Sequence, residues 1–350
     1  MAQYRQYGAF DAALSLNSHL FLGRRTVGKL TDLMQVFILL LTVSMFGCAP
    51  FSGRGVLNET VQLESDEMSF QGKVVPVFTT LQSEHAYNRI GVVEALEDDG
   101  DIVVQVNSAQ PAIYVASSSF QTDKGVYTNT VYRVHFEKTP FSLIPFYLTA
   151  GKHPGLLIVM TRDRQGHVVL VTTVHTCGCY AVSIPTGWLP ADSYPPDWPE
   201  KEIQVYGETL PARLPALIPG QIIEIIIRPG VHRIMGIHVI EQQQLNGRSL
   251  VTASVYGHKS LRHLQTEQGN ETSFYYQDWP LTGHVKGAVK WWEMLLLSLP
   301  SLDLFVGMDK DFGSTEETGN PFYTSLQPWY RSSSDMNDFA MFLSFHGWNL

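Results

Sequence analysis

Between residues 61 and 283 apolar and polar positions alternate with a period of two, the signature of strands with one buried face. Residues 74–80, 89–96, 102–107, 111–115 and 126–136 read as short strands, the second and third joined by the turn signal Asp99-Gly100. In 126–136, Tyr132, Val134 and Phe136 share the core face, and Arg133 and His135 point the other way. Residues 155–162 and 167–175 form a hairpin around 163–166 that is apolar on both faces. Such arms are covered on both sides. Residues 221–228, the most β-branched run of the chain, pair with 232–240 across Pro229-Gly230, which puts His232, Ile234 and His238 on one face. Residues 249–256 add a further strand.

The pattern changes twice. Proline is dense from Pro185 to Pro219 and removes backbone donors, so no regular element is expected there. The aromatics Trp188, Tyr194, Trp198 and Tyr206 make this stretch a loop packed over the body and not a free linker. Beyond residue 284 the period becomes helical. Residues 285–299 carry a thin polar stripe, Lys286, Lys290 and Glu293, on a helix otherwise so apolar that burial is its ordinary fate. A helix lying in a membrane interface is the functional alternative. Residues 307–317 resemble a calcium loop in composition, but Gly313 falls one place early for that motif, which leaves a surface loop. A last helix over 332–346 has serines for its N-cap, Asp335 and Asp338 at its positive end and Gly347 to close it; Trp348 and Leu350 then pack on the body. The fold class is α+β. A β-rich body spans 61–283, sandwich-like or multi-sheet antiparallel, with 185–219 as its covering loop, and a helical section spans 284–350.

Charge sharpens the organisation. The chain of 350 residues carries a formal charge of −9. Its first 47 residues hold Arg5, Arg24, Arg25 and Lys29 against Asp11 and Asp32, leaving −11 on the remainder. A net-acidic body without a basic run excludes nucleic acid as partner. The basic residues precede an apolar run, 33–46, then Gly47 and Cys48. A basic region, a short apolar core and a small residue before the break form a secretory signal. As a helix, 33–47 would span only about 22 Å against about 30 Å of hydrocarbon, so a transmembrane anchor in the inner membrane is the weaker alternative. Gly47-Cys48 resembles the lipobox of bacterial lipoproteins. The resemblance covers the first 50 residues or so and implies cleavage before Cys48, lipid on its sulfur, a tether over 48–60, and a membrane as partner. Ala49 in place of aspartate implies outer-membrane sorting, with the body facing the periplasm.

The candidate chemistry lies in His167-Val-Val-Leu-Val-Thr-Thr-Val-His175-Thr-Cys177-Gly-Cys179. Strand alternation places His167, His175, Cys177 and Cys179 on one face. In the oxidising envelope two thiols need protection. Four fates remain open. His175, Cys177 and Cys179, with His167, His153 or the His232/His238 pair, offer donors for zinc or copper. Cys177 and Cys179 form a disulfide across one residue. One of them is a nucleophile activated by His175. Or all are plain core. The spacing along an extended strand is too wide for either a bridge or a shared metal, so the first two require a bend at Gly178. Phosphate-binding glycine loops, hydrolase elbows and zinc-protease helices are absent from the sequence. The competing function is a non-enzymatic envelope binding or scaffold protein, recognising a protein or lipid through 185–206.

Overall fold

A computed structural model describes residues 58–63 and 74–350. The expected signal segment 1–47, the lipobox-like Cys48 and the first part of the expected tether lie outside the described residues. In chain order the strands are β1 (Asn58–Leu63), β2 (Pro76–Leu81), β3 (Val92–Asp98), β4 (Asp101–Asn107), β5 (Ala112–Gln121), β6 (Val126–His135), β7 (Lys138–Thr139), β8 (Gly151–Lys152) and β9 (Gly155–Arg162). There follow β10 (Val168–His175), β11 (Val182–Pro185), β12 (Glu202–Val205), β13 (Glu208–Pro211), β14 (Gln221–Ile227), β15 (Ile234–Glu241), β16 (Leu250–Gly257), β17 (Leu264–Gln265) and β18 (Glu271–Thr272). Among the described residues the α-helices are few and short: α1 (Trp291–Ser301), α2 (Thr315–Thr318) and α3 (Phe339–Phe345).

Ten strands form one large sheet in the order β11-β10-β9-β6-β5-β16-β1-β2-β14-β15. It is mixed, not antiparallel: β16 runs parallel to both β1 and β5, and β14 runs parallel to β2. Long connections bring these non-consecutive strands together, as parallel pairing demands. The first half of β16 pairs with β1 and its second half with β5, so the sheet steps and curls at this strand. One apolar core then joins residues from both halves, including Phe78, Ile223 and Ile237 with Val134, Ile158 and Val171. Asn58–Thr60, read from sequence as the end of the tether, already belong to β1 in the middle of this sheet.

The proline-rich stretch closes the curl, and it contains a hairpin. Residues 200–210 carry no proline, and Ile203, Val205 and Leu210 alternate inward on β12 and β13. The expectation of no regular element therefore fails at this hairpin and at a single 3-10 turn, Ala191–Ser193. β13 lies against edge strand β15, while Leu214 N–H donates to the carbonyl of Pro185 on the opposite edge, β11. The indole N–H of Trp188 donates to the Leu217 carbonyl and that of Trp198 to the Ala212 carbonyl, both at 2.8 Å.

The outer face of β6, β9 and β10 is covered by the C-terminal section. Leu157, Val159 and Val174 pack on Phe322, Met336, Phe339, Phe342, Leu343, Trp348 and Leu350. Burial on both sides explains why all eight residues of β9 and of β10 are buried. The section itself is mainly turns and irregular chain, not helical. Val285 forms a bridge with Tyr275 and Gly287 sits at φ +72°, so the helix expected from 285 starts only at Trp291. The final helix starts at Phe339, capped by Asp338, which accepts from Met341 N–H at 3.0 Å. The serines before it turn back instead, Ser334 bonding to Thr324 and Ser325.

Candidate functional site

Strand β10 ends at His175 and the chain folds back at once. Gly178 N–H donates to the His175 carbonyl at 2.8 Å, and His175 N–H donates to the Cys179 carbonyl at 2.9 Å. Gly178 takes φ +89°, a left-handed value that favours glycine. It is held by a second constraint too, since a Cβ there would fall 2.1 Å from the backbone oxygen of Tyr323. This is the bend that the spacing required. It brings the two Cα atoms to 5.6 Å and Cys177 and Cys179 are joined in a disulfide. Cys177 is buried and Cys179 is partly exposed.

His175 stands beside the bridge, its ring edge-on to Tyr180 at 4.9 Å between centroids. One ligand atom from each of His175, Cys177 and Cys179 lies within 4.8 Å of the others. The imidazole is buried and neither ring nitrogen makes a well-formed hydrogen bond. Burial pushes its pKa well below the usual histidine range, and the nearby Lys290 cation pushes the same way. His175 is therefore neutral near pH 7. While the sulfurs are bridged neither is a thiolate, so this trio becomes a metal donor set only after reduction.

His167 is not part of the cluster. A β-bulge between Val168 and Leu170 breaks the alternation, so that Val168 and Val171 face one core while Val169 and Leu170 face the other. His167 is left at the turn, stacked on Trp188 at 3.9 Å and bonded to Asp163 at 3.0 Å. The same irregularity separates the other pair. A register shift at Met235 places Ile234 and Ile237 in the core and turns His238 to the exposed side. His232 lies before the strand, stacked on Phe136 at 4.1 Å, its Nε2 bonded to the Tyr87 carbonyl at 2.8 Å. His153 is buried against Phe274, its ring edge toward that aromatic.

The floor of the site comes from residues that the sequence pattern assigned to a surface loop. Met308, Asp309, Lys310 and Asp311 are all buried. Lys310 N–H donates to the Thr176 carbonyl at 2.8 Å, and its Nζ donates to the Cys177 carbonyl at 3.1 Å. Asp309 accepts from the Thr176 hydroxyl, and its other oxygen lies 3.0 Å from Lys290 Nζ, an ion pair with both side chains fully buried. Lys310 also sits over the Tyr323 ring at 3.9 Å. Burial lowers the Lys310 pKa to about 8, against the pull of Asp303 and Asp309. Glu293 is buried beside them, its carboxyl raised by desolvation. Two lysines and two acids, Asp309 and Glu293, thus stand under the Cys177–Cys179 loop.

A second polar cluster adjoins this floor through the Lys310 backbone. Arg133 is fully buried; its Nε donates to His135 Nε2 at 2.7 Å, Nη1 lies 3.0 Å from His258 Nε2, and Nη2 donates to the Lys310 carbonyl at 3.0 Å. Burial and then the Arg133 charge hold both imidazoles well below their ordinary pKa. The alternation of β6 foretold that Arg133 and His135 share a face. It carried no sign that this face is covered, because the cover comes from 258–310.

Comparison of the chain with protein-family models, with curated proteins and with solved structures finds no match.

Proposed function

We propose that the chain is a lipid-anchored protein of the cell envelope whose Cys177–Cys179 disulfide exchanges with thiols. The observation that carries this reading is a disulfide closed across one residue, with one cysteine buried and the other partly exposed, on a loop fixed by Gly178 and Lys310. A partner thiolate attacks the sulfur of Cys179, the more exposed of the two cysteines, the S–S bond breaks, and Cys177 leaves as a thiolate. A second thiolate of the same partner then attacks the mixed disulfide. The partner ends oxidised and Cys177 and Cys179 end reduced, having taken two electrons. The ammonium groups of Lys290 and Lys310 favour the thiolate, as cations beside cysteine do. The envelope location rests on the signal and Gly47-Cys48; the periplasmic face of the outer membrane fits both that signal and an environment that keeps disulfides.

The two sulfurs differ in access, and this gives the test. In the full chain, Cys177→Ser leaves the partly exposed Cys179 and is expected to form a mixed disulfide with oxidised glutathione within minutes. Cys179→Ser leaves Cys177 buried and is expected to react at least ten times more slowly. Equal rates would remove the reading.

The position of His175 beside the two sulfurs supports a second reading for the reduced state. Two thiolates and one imidazole nitrogen, within 4.8 Å of one another, match the soft donor sets of zinc or copper(I). Metal analysis of the reduced chain, with His175→Ala as control, checks it: retention of one ion by the native chain and its loss in the variant are expected.

A further inference from the structure

Helix α1 is inside out. Its buried residues are Glu293 and Ser301, while Trp291, Leu295 and Leu299 are 73%, 69% and 81% exposed. The chain continues with Leu302 and Leu304, each 72% exposed. The two acids of this segment do not reach the surface that these side chains form. Glu293 faces the buried lysines, and Asp303 is held by the Tyr323 hydroxyl and lies 3.7 Å from Arg331. The apolar surface extends onto the segment after β7, where Phe141, Leu143 and Ile144 are 62%, 63% and 93% exposed. The two parts are one surface: Phe141 and Phe146 both pack on Trp292 of α1. An exposed apolar patch of this extent marks an interaction site.

We propose that this ridge sits in the headgroup layer of an anionic membrane and fixes the orientation of the tethered body. Three observations favour lipid over a protein partner. Side chains this exposed stand proud of the surface. A lipid phase accepts them without a matching hole, whereas a second copy would have to offer one; the broad depression at Pro219, Glu241, Gln243 and Asn246 is polar and does not. The ridge also has a cationic flank. Lys138 and Lys152 are cross-strand partners in β7 and β8, both exposed, and β8 abuts the start of α1 at Val289 and Lys290. Lys138 shares its charge with Glu137 at 3.0 Å, while Lys152 extends the flank toward α1. Lysines beside an apolar strip bearing tryptophan are the composition of an interfacial surface. Third, Cys48 precedes Asn58 by ten residues, which reach at most about 35 Å when extended, so an anchor at Cys48 holds the body at the membrane.

The last argument rests on the lipid-anchor reading, and the experiment separates the two. In the full chain carrying Cys48→Ser, a fluorophore is placed at Leu299→Cys or, as a control, at exposed Gln268→Cys, under oxidising conditions. Vesicles of phosphatidylethanolamine and phosphatidylglycerol carry nitroxide-labelled acyl chains. Quenching at 299 at least three-fold stronger than at 268, abolished by adding Leu295→Glu, is the expected result. Equal quenching at the two sites overturns the proposal. So does a label at 299 already shielded before vesicles are added, which would show that a second copy or residues 1–57 cover the ridge. Whether wild-type Cys48 carries lipid is read separately, from the mass of the N-terminal peptide of the chain exported in bacteria.

Discussion

Lys290 and Trp291 are neighbours in sequence and break the same rule from opposite sides. The lysine is fully buried and the indole is 73% exposed. Around Lys290, charge lies inside: Asp309, Lys310 and Glu293 pack beneath the disulfide loop. Around Trp291, apolar surface lies outside: Leu295, Leu299, Leu302 and Leu304 face solvent. The difference shows what each region is for. Buried charges persist where pairing and hydrogen bonds offset their desolvation, and they fix one geometry for the groups they hold. Among the described residues nothing covers these leucines, and an uncovered apolar patch marks an interaction site.

Breaking the buried pair has the largest expected effect. Lys290→Ala leaves Asp309 charged and uncompensated and is expected to cost about 3–5 kcal/mol in chemical denaturation. Replacing both, as Lys290→Met with Asp309→Leu, is expected to recover part of that loss. A single variant as stable as the native chain would show that the pair holds nothing.

Gly178→Ala comes next. The added methyl meets the Tyr323 carbonyl, and alanine resists φ +89°, so a loss of about 2–3 kcal/mol is expected. The disulfide should also become easier to reduce, because the loop can no longer close in its native shape. Melting temperature and the rate of reduction by a small dithiol read the two effects.

Acid gives the third. Burial lowers the pKa of His153 and His284 to about 4 and of His232 to about 3. These groups bind protons in the unfolded chain near 6.5 but in the folded chain only far below it. Their contribution is therefore fully present above pH 6.5 and is lost as pH falls from 6.5 toward 4. Each such histidine steepens the loss by about 1.4 kcal/mol per pH unit. Urea midpoints between pH 7 and pH 4 should fall accordingly, and His153→Gln should flatten the slope. A midpoint independent of pH over this window would contradict the burial of neutral imidazoles.

The ridge gives the smallest effect on stability. Leu295→Glu with Leu299→Glu is expected to change the unfolding free energy by no more than about 0.5 kcal/mol, as surface substitutions do. A loss above about 2 kcal/mol would place these leucines in a packed interior and remove the contrast with Lys290.

Parts of this architecture are legible in the chain itself. The 155–175 hairpin, its burial on both faces, the Asp99-Gly100 turn and the packing of Trp348 and Leu350 follow from periodicity and turn chemistry. The need for a bend at Gly178 follows from the length of an extended residue. What period-two reasoning cannot see is a bulge, and each of the two bulges here moved a histidine, His167 and His238, off the face assigned to it. Asp309 and Lys310 were hidden for another reason. Alternating charges between glycines read as a solvated loop, and their burial depends on β10 and α1, which are distant in sequence. The length of α1 likewise depends on the bridge between Val285 and Tyr275, which no local propensity encodes.

The central claim is the state and asymmetry of the two sulfurs at the end of β10. It is tested most directly by alkylating the exported full chain under native conditions, before and after a dithiol reductant, and reading 177–179 by peptide mass spectrometry. No label is expected without reductant, and after brief reduction a label on Cys179 well ahead of Cys177. Two free thiols that label at equal rates without reductant would contradict it.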